Sequence, residues 1–216
     1  MGTRLRGRRI GFASAASHCT LERAIAAISG LTDEGAEVFP ILNPMIAQMT
    51  TRFGTGQGWL DAMEAATGHR PWTQIPEVEP IGPKELLDAL VVAPCTGSTM
   101  SKLANAQTDT TVCMAAKAVM RGHRPVCLAI ASNDALGLNA KNLAALLTYK
   151  DIYFVPFGQD GPLTKPNSLE SDFDRIAETV VAALEGRQLQ PLLIQRVAAV
   201  APSPAPVRLA AGGGPL

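Results

Sequence analysis

Five short apolar runs constrain this chain more than any other feature: Arg9-Ile10-Gly11-Phe12-Ala13, Glu37-Val38-Phe39-Pro40-Ile41-Leu42, Leu90-Val91-Val92-Ala93-Pro94, Pro125-Val126-Cys127-Leu128-Ala129-Ile130 and Ile152-Tyr153-Phe154-Val155. They are too short to be helices of ordinary length. Their near-continuous apolar character marks strands that must be covered on both faces. Between them lie stretches with helical spacing. Thr20 leads into Leu21, Ala24, Ile25, Ile28 and Leu31, with Thr20 as expected N-cap and Gly35 as the stop. Gln57 to Thr67, Thr110 to Met120, Ala140 to Leu147 and Asp172 to Leu184 follow. A strand-helix-strand crossover is right-handed and makes its two strands parallel. The pattern therefore predicts an α/β fold with a parallel sheet between helical layers.

The chain has 216 residues, within the range of one domain with a full core, and aromatics make up only 5% of it. That core must be built mainly from Ala, Val, Ile and Leu. From Asn43 to Pro83 the periodicity weakens, with glycines at 54, 56 and 58 and prolines at 71, 76, 80 and 83. Such stretches inside compact domains are often lids or intersubunit contacts. Beyond Gly186 the chain turns Pro-, Ala- and Gly-rich. The expected organisation is one domain over residues 1–195 and a disordered tail over 196–216.

Lys plus Arg and Asp plus Glu are equal at 19 each, so no global field favours nucleic acid or an anionic membrane. Arg4, Arg6, Arg8 and Arg9 form a local basic lead-in that reads as solvated surface. Cys19, Cys95, Cys113 and Cys127 show no Cys-x-x-Cys pair, which points to reduced thiols and to no metal site. With no apolar stretch near the ~20 residues that span a bilayer and no signal-peptide core, a cytoplasmic protein is expected.

In an open parallel sheet, ligands bind beyond the carboxyl ends of the strands. Three loops there carry polar chemistry. The first, Ser14-Ala15-Ala16-Ser17-His18-Cys19-Thr20, places hydroxyls at a helix start, suited to a phosphate or carboxylate, although an ordinary capped turn reads the same way. It is not a Gly-x-Gly-x-x-Gly loop. The second, Pro94 to Asn105, combines Thr96, Gly97, Ser98, Thr99, Ser101 and Lys102 and is an anion cradle by composition. It lacks the order of a Walker loop. The third, Ala131 to Asn139, contains Asn133, whose amide both donates and accepts, as the edge of a heterocycle requires. A turn built on Asn133-Asp134 is the alternative.

The run Pro94-Cys95-Thr96-Gly97-Ser98-Thr99 with Lys102, Ala104 and Asp109 resembles the Pro-Ala-Ser-Ala-Asn-Thr motif of the flavin-binding cysteine decarboxylase superfamily. Pro125 to Leu143, with Asn133 and Asn142, resembles its second signature, built on Pro-x-Met-Asn. Ser98 stands where the first motif has Asn, and Ser132 where the second has Met. Within that superfamily, the chain from Arg8 to Ile194 is similar to the family of dipicolinate synthase B subunits. Ala16 to Thr20, Lys102 to Asn105, Asn133 to Asn139, Phe157 to Asp160 and Lys165 to Ser168 carry the likeness.

The resemblance implies a Rossmann-like three-layer α/β/α flavoprotein fold, FMN, and a trimer or dodecamer. It further implies oxidation of dihydrodipicolinate to dipicolinate with a partner, the dipicolinate synthase A subunit, which carries NADP, in the mother cell of a sporulating bacterium. On this reading Ser14, Ser17 and Thr20 hold the cofactor phosphate, while Thr96, Gly97, Ser98, Thr99 and Asn133 address its ring. Arg52 or Lys102 meets a substrate carboxylate, and His18 is a catalytic candidate. A non-catalytic accessory protein for a nicotinamide-dependent partner, and an independent FMN-dependent decarboxylase, are the alternatives.

Overall fold

The computed structural model describes residues 3–15 and 18–195, with His18 and Cys19 described by their backbone alone. The expected tail over 196–216 and Ser17 lie outside the described residues. In chain order the elements are β1 (Arg9–Ser14), α1 (His18–Ala26), α2 (Ile28–Asp33), β2 (Glu37–Leu42), α3 (Pro44–Gln48), β3 (Thr50–Thr51), β4 (Gly54–Thr55), α4 (Gly56–Thr67), α5 (Ile75–Val78), β5 (Ala89–Cys95), α6 (Gly97–Ala104), α7 (Thr111–Met120), β6 (Val126–Ser132), α8 (Ala140–Leu147), β7 (Ile152–Phe154), β8 (Phe157–Gly158), β9 (Leu169–Ser171) and α9 (Ile176–Leu184). Short 3-10 turns lie at Glu79–Ile81 and Phe173–Arg175.

All five apolar runs form strands, and they lie parallel, in the order β2, β1, β5, β6, β7. The order reverses at β1, where the chain crosses from one side of the sheet to the other, and the ends of β1 and β5 open a crevice there. Alternation along β5 shows why both faces had to be apolar. Leu90 and Val92 pack with Val112, Ala116 and Val119 of α7 and Leu143 and Leu146 of α8. Ala89, Val91 and Ala93 pack with α1, α2, α4 and α9 through Leu21, Ile28, Met63, Ile176 and Val180. Two apolar layers thus sandwich one sheet, as in a three-layer α/β/α fold.

Two short strands join this parallel sheet antiparallel at one edge. β6 pairs with β7 along Val126 to Leu128, then with antiparallel β9 at Ala131 and Ser132, and β8 pairs antiparallel with β9. At this changeover the buried Ser171 hydroxyl accepts from the Ile130 N–H at 2.8 Å and donates to the Val155 carbonyl at 3.1 Å. A side chain replaces ladder bonds where one neighbour ends and the next begins.

The first helix also differs. It begins at His18, so Thr20 lies in its first turn rather than at its N-cap, and the expected single helix divides at Ala27. The hydroxyls of Ser29 and Thr32 donate to the carbonyls of Ala26 and Ser29 at 2.8 and 3.1 Å, the local competition that makes such residues poor in helix interiors. Gly35, at φ +88°, supplies the left-handed stop that its position predicts. The last helix starts late for a similar reason: Asp172 caps a 3-10 turn through the Asp174 N–H, and α9 begins only at Ile176.

Candidate functional site

A cleft of about 850 Å³ opens at the carboxyl ends of β5 and β6. Its first wall is the start of α6. Thr96 is the N-cap: its Oγ1 accepts from the Thr99 N–H at 3.3 Å and lies 3.1 Å from the Thr99 hydroxyl. This leaves the N–H groups of Gly97 and Ser98, the first two of the helix, without intrahelical acceptors. Gly97 and Ser98 line the cleft, and the aligned peptide dipoles favour an anion at that end.

The second wall is the loop after β6, with Ser132, Asn133, Asp134 and Asn139. Asp134 organises it. One carboxylate oxygen accepts from the Ser132 hydroxyl at 2.9 Å, and both accept from the Asn139 amide at 2.9 Å. Asn142, largely buried, donates to the Asn139 side-chain carbonyl at 2.9 Å and fixes the orientation of that amide. The loop therefore presents a hydrogen-bonded platform with Asn133 beside it. Gly97 rests on this platform so closely that a Cβ there would fall 2.6 Å from Asn139 Nδ2 and 2.8 Å from both Asp134 Oδ1 and Ser132 Oγ.

The third wall comes from Asp160, Lys165 and Ser168 on the loop between β8 and β9, with Leu169 and Glu170 of β9; Thr20 of α1 completes the lining. Lys165 Nζ lies 3.1 Å from Asp160 Oδ2. Burial of Asp160 works against its charged form, but the Ser168 hydroxyl and the Lys165 ammonium outweigh it and hold the carboxyl below the usual range. Asp160 Oδ1 is buried and makes no hydrogen bond among the described residues. A buried acceptor of this kind in a cleft wall suits a donor on a bound molecule. Glu170 is paired with Arg23.

Of the residues singled out from sequence, the fold brings Thr20, Thr96, Gly97, Ser98 and Asn133 together on the cleft. Thr99 lies just beneath, buried and bonded to Thr96. Ser14 is not in the lining: it is fully buried and its hydroxyl donates to the Ala93 carbonyl at 2.7 Å. Pro94 has no N–H for the ladder and the β5–β6 register shifts between Val92 and Cys95, and the Ser14 hydroxyl bridges the strands at that irregularity. Arg52 also lies apart from the cleft. It sits exposed on the β3–β4 hairpin, with its guanidinium 4.7 Å from the Phe53 ring centroid, and does not line the cleft. Lys102 is engaged with Asp109, whose carboxyl the ammonium holds below its ordinary range, and is likewise not in the lining. Ser17 and the His18 side chain lie outside the described residues.

Sequence reading assigned no role to Ser132, Asp134, Asn139, Asp160, Lys165 or Ser168. Ser132 stands where the second signature has Met, and the other five fall within the runs Asn133 to Asn139, Phe157 to Asp160 and Lys165 to Ser168 that carry the family likeness.

The family model described as Flavoprotein matches residues 2–183. The dipicolinate synthase B subunit of Bacillus subtilis (strain 168) is 49% identical over 191 residues, covering 88% of this chain and 96% of the relative. The crystal structure of the dipicolinate synthase B subunit from Bacillus halodurans is 41% identical with a TM-score of 0.83, covering 91% of this chain and 100% of that one. The FMN binding protein AtHal3 shares the fold at 18% identity and a TM-score of 0.55, over 81% of this chain and 95% of its own. The chain belongs to the Flavoprotein family, in the branch of the dipicolinate synthase B subunits.

Proposed function

We propose that this chain is the B subunit of a dipicolinate synthase. It takes part, with an A subunit that carries NADP, in oxidising dihydrodipicolinate to dipicolinate in the mother cell of a sporulating bacterium, and its cleft holds FMN. The observation that carries the reading is the composition of that cleft at the β5 and β6 ends. It pairs a helix start and hydroxyl donors with a rigid amide platform, in a chain that is 49% identical to the B subunit of a dipicolinate synthase.

The residues present fit FMN. The volume is within the ~300–1,000 Å³ of small-molecule sites. Thr20 and the free N–H groups of Gly97 and Ser98 suit a phosphate, and Thr96 and Asn133 suit the donors and acceptors of a flat heterocycle edge. The unpaired Asp160 Oδ1 adds an acceptor for an N–H or O–H of the ligand. Bound there, FMN supplies a flat two-electron acceptor. The chain's own contribution is positional: Gly97 lets α6 approach the Asp134–Asn139 platform, and the platform fixes Asn133 beside it. Loss of two hydrogens from the dihydro ring restores aromaticity, so holding the ring in place matters more than activating it.

The test is the visible spectrum of the purified chain after FMN addition and removal of unbound flavin. Retained flavin absorbance, lost in Asn133→Ala, is the expected outcome. A colourless chain that raises the rate of the partner with nicotinamide cofactor alone makes this an accessory protein instead. Activity without any partner makes it a decarboxylase-type flavoenzyme.

A further inference from the structure

Any dicarboxylate that enters this cleft faces Asp134, Asp160 and Glu170 in the walls. Asp134 is saturated by Ser132 and Asn139, and Glu170 by Arg23, so neither repels an anion as strongly as a bare carboxylate, but neither attracts one. The cations expected from sequence lie elsewhere. Among the described residues lining the cleft, Lys165 alone is cationic.

Its loop is built to hold it. The Thr164 and Lys165 N–H groups both donate to the Gly161 carbonyl, at 3.1 and 2.6 Å, and the Ser168 N–H donates to the Lys165 carbonyl at 3.0 Å. Gln159 Nε2 donates to the Pro166 carbonyl at 2.8 Å. The Leu136 N–H donates to the Asn167 carbonyl at 3.0 Å, which ties this loop to the platform loop across the cleft mouth. The Lys165 side chain is 61% exposed and lines the cleft, with its ammonium 3.1 Å from Asp160 Oδ2.

We infer that Lys165 is the group that meets a carboxylate of the dicarboxylate substrate, with Asp160 as the positioning residue that holds its ammonium at the cleft wall. This rests on the proposed dipicolinate reading for the class of ligand, but not on flavin being bound. An ammonium with three rotatable donors engages Asp160 and a ligand carboxylate together. Charge-assisted bonds of this kind rank among the strong ones.

The experiment is calorimetric titration of the full chain, with and without added FMN, using dipicolinate and the monocarboxylate picolinate as probes. Lys165→Met is expected to weaken dipicolinate by about 10- to 100-fold and picolinate by less than about threefold, while Lys165→Arg stays within about threefold for both. Asp160→Asn, which keeps the cation but loses its anchor at the wall, is expected to weaken dipicolinate by about two- to fivefold and picolinate by less. Unchanged dipicolinate affinity in Lys165→Met overturns the inference. So does an equal loss for both probes in Lys165→Met and Asp160→Asn, which marks a merely structural pair, and so does absence of dipicolinate binding by the unsubstituted chain. Flavin retention, read by absorbance on the same samples, separates failure of the flavin reading from failure of this one.

Discussion

At the level of single residues, Gly97 shows how one missing methyl decides the site. Its neighbours on the platform are held by four hydrogen bonds through Asp134, Asn139 and Asn142, so they cannot retreat without breaking that network. Gly97→Ala is therefore expected to lose about 1–3 kcal/mol of stability, as overpacking does, and to lose flavin uptake with it. Ser98→Ala, at an exposed neighbouring position, should leave the unfolding free energy from denaturant titration within about 0.5 kcal/mol of the parent. Equal midpoints for the two variants would remove Gly97 from this role.

Charge at single residues sets the acid limit. Burial opposes the ionised form of Asp88, but hydrogen bonds from the Arg9 N–H at 2.8 Å and the Arg9 guanidinium at 3.2 Å outweigh it and hold its carboxyl below the ordinary range. Asp160 is held low as well. A carboxylate whose folded pKa is depressed contributes stability that is fully present above its unfolded value, near pH ~4, and lost as pH falls through the folded one. Thermal stability should therefore hold down to about pH 4 and decline below it. Asp88→Asn should start lower and decline less steeply on the acid side; an unchanged slope would assign the acid transition to other groups.

At the level of elements, helix starts carry two separable kinds of information. Thr96 and Thr110 are both N-caps, accepting from the Thr99 and Cys113 N–H groups at 3.3 and 3.1 Å. Only Thr96 lines the cleft. Each Thr→Ala change is expected to cost about 1 kcal/mol in a chemical denaturation. Thr96→Ala should also weaken FMN, whereas Thr110→Ala should not; equal effects on FMN would mean that the cap acts only through general stability.

The same scale shows what was legible in the sequence. The parallel strands stood out because burial on both faces leaves no alternation, and the loops after β5 and β6 stood out because polar residues follow those strands directly. β8 and β9 have only two and three residues, too few for any period to register, and they join the sheet antiparallel. The loop that bears Asp160 and Lys165 joins two antiparallel strands, so the rule that ligands bind beyond parallel strand ends does not point to it. Arg52 and Lys102 carry charge beside polar motifs, which is all the sequence shows of them. Charge at a position does not reveal its partner, and Asp109, which engages Lys102, lies seven residues further along the chain.

At the level of the whole molecule, the two apolar layers share one sheet, and the thiols within it report on the stability of both. Cys95 in β5 and Cys127 in β6 are fully buried, and Cys113 in α7 nearly so. Desolvation pushes Cys127 up to about 12, and Cys95 and Cys113 are raised for the same reason. Thiolate is the reactive form, so the native thiols should react with a disulfide reagent only through opening of the structure. β5 and β6 are central strands, and exposing either requires the opening of most of the sheet. Labelling in a Cys19→Ser background should thus follow global stability when reclosing is faster than reaction. A ligand that binds only the folded state adds about 2.7 kcal/mol at a free concentration of a hundred times its Kd. Under that condition FMN should slow labelling of Cys95 and Cys127 by about a hundredfold in the parent chain and leave the rate in Gly97→Ala unchanged. If FMN protects neither thiol, no flavin is bound to the folded chain, and the redox cofactor of the proposed synthase belongs to the partner alone.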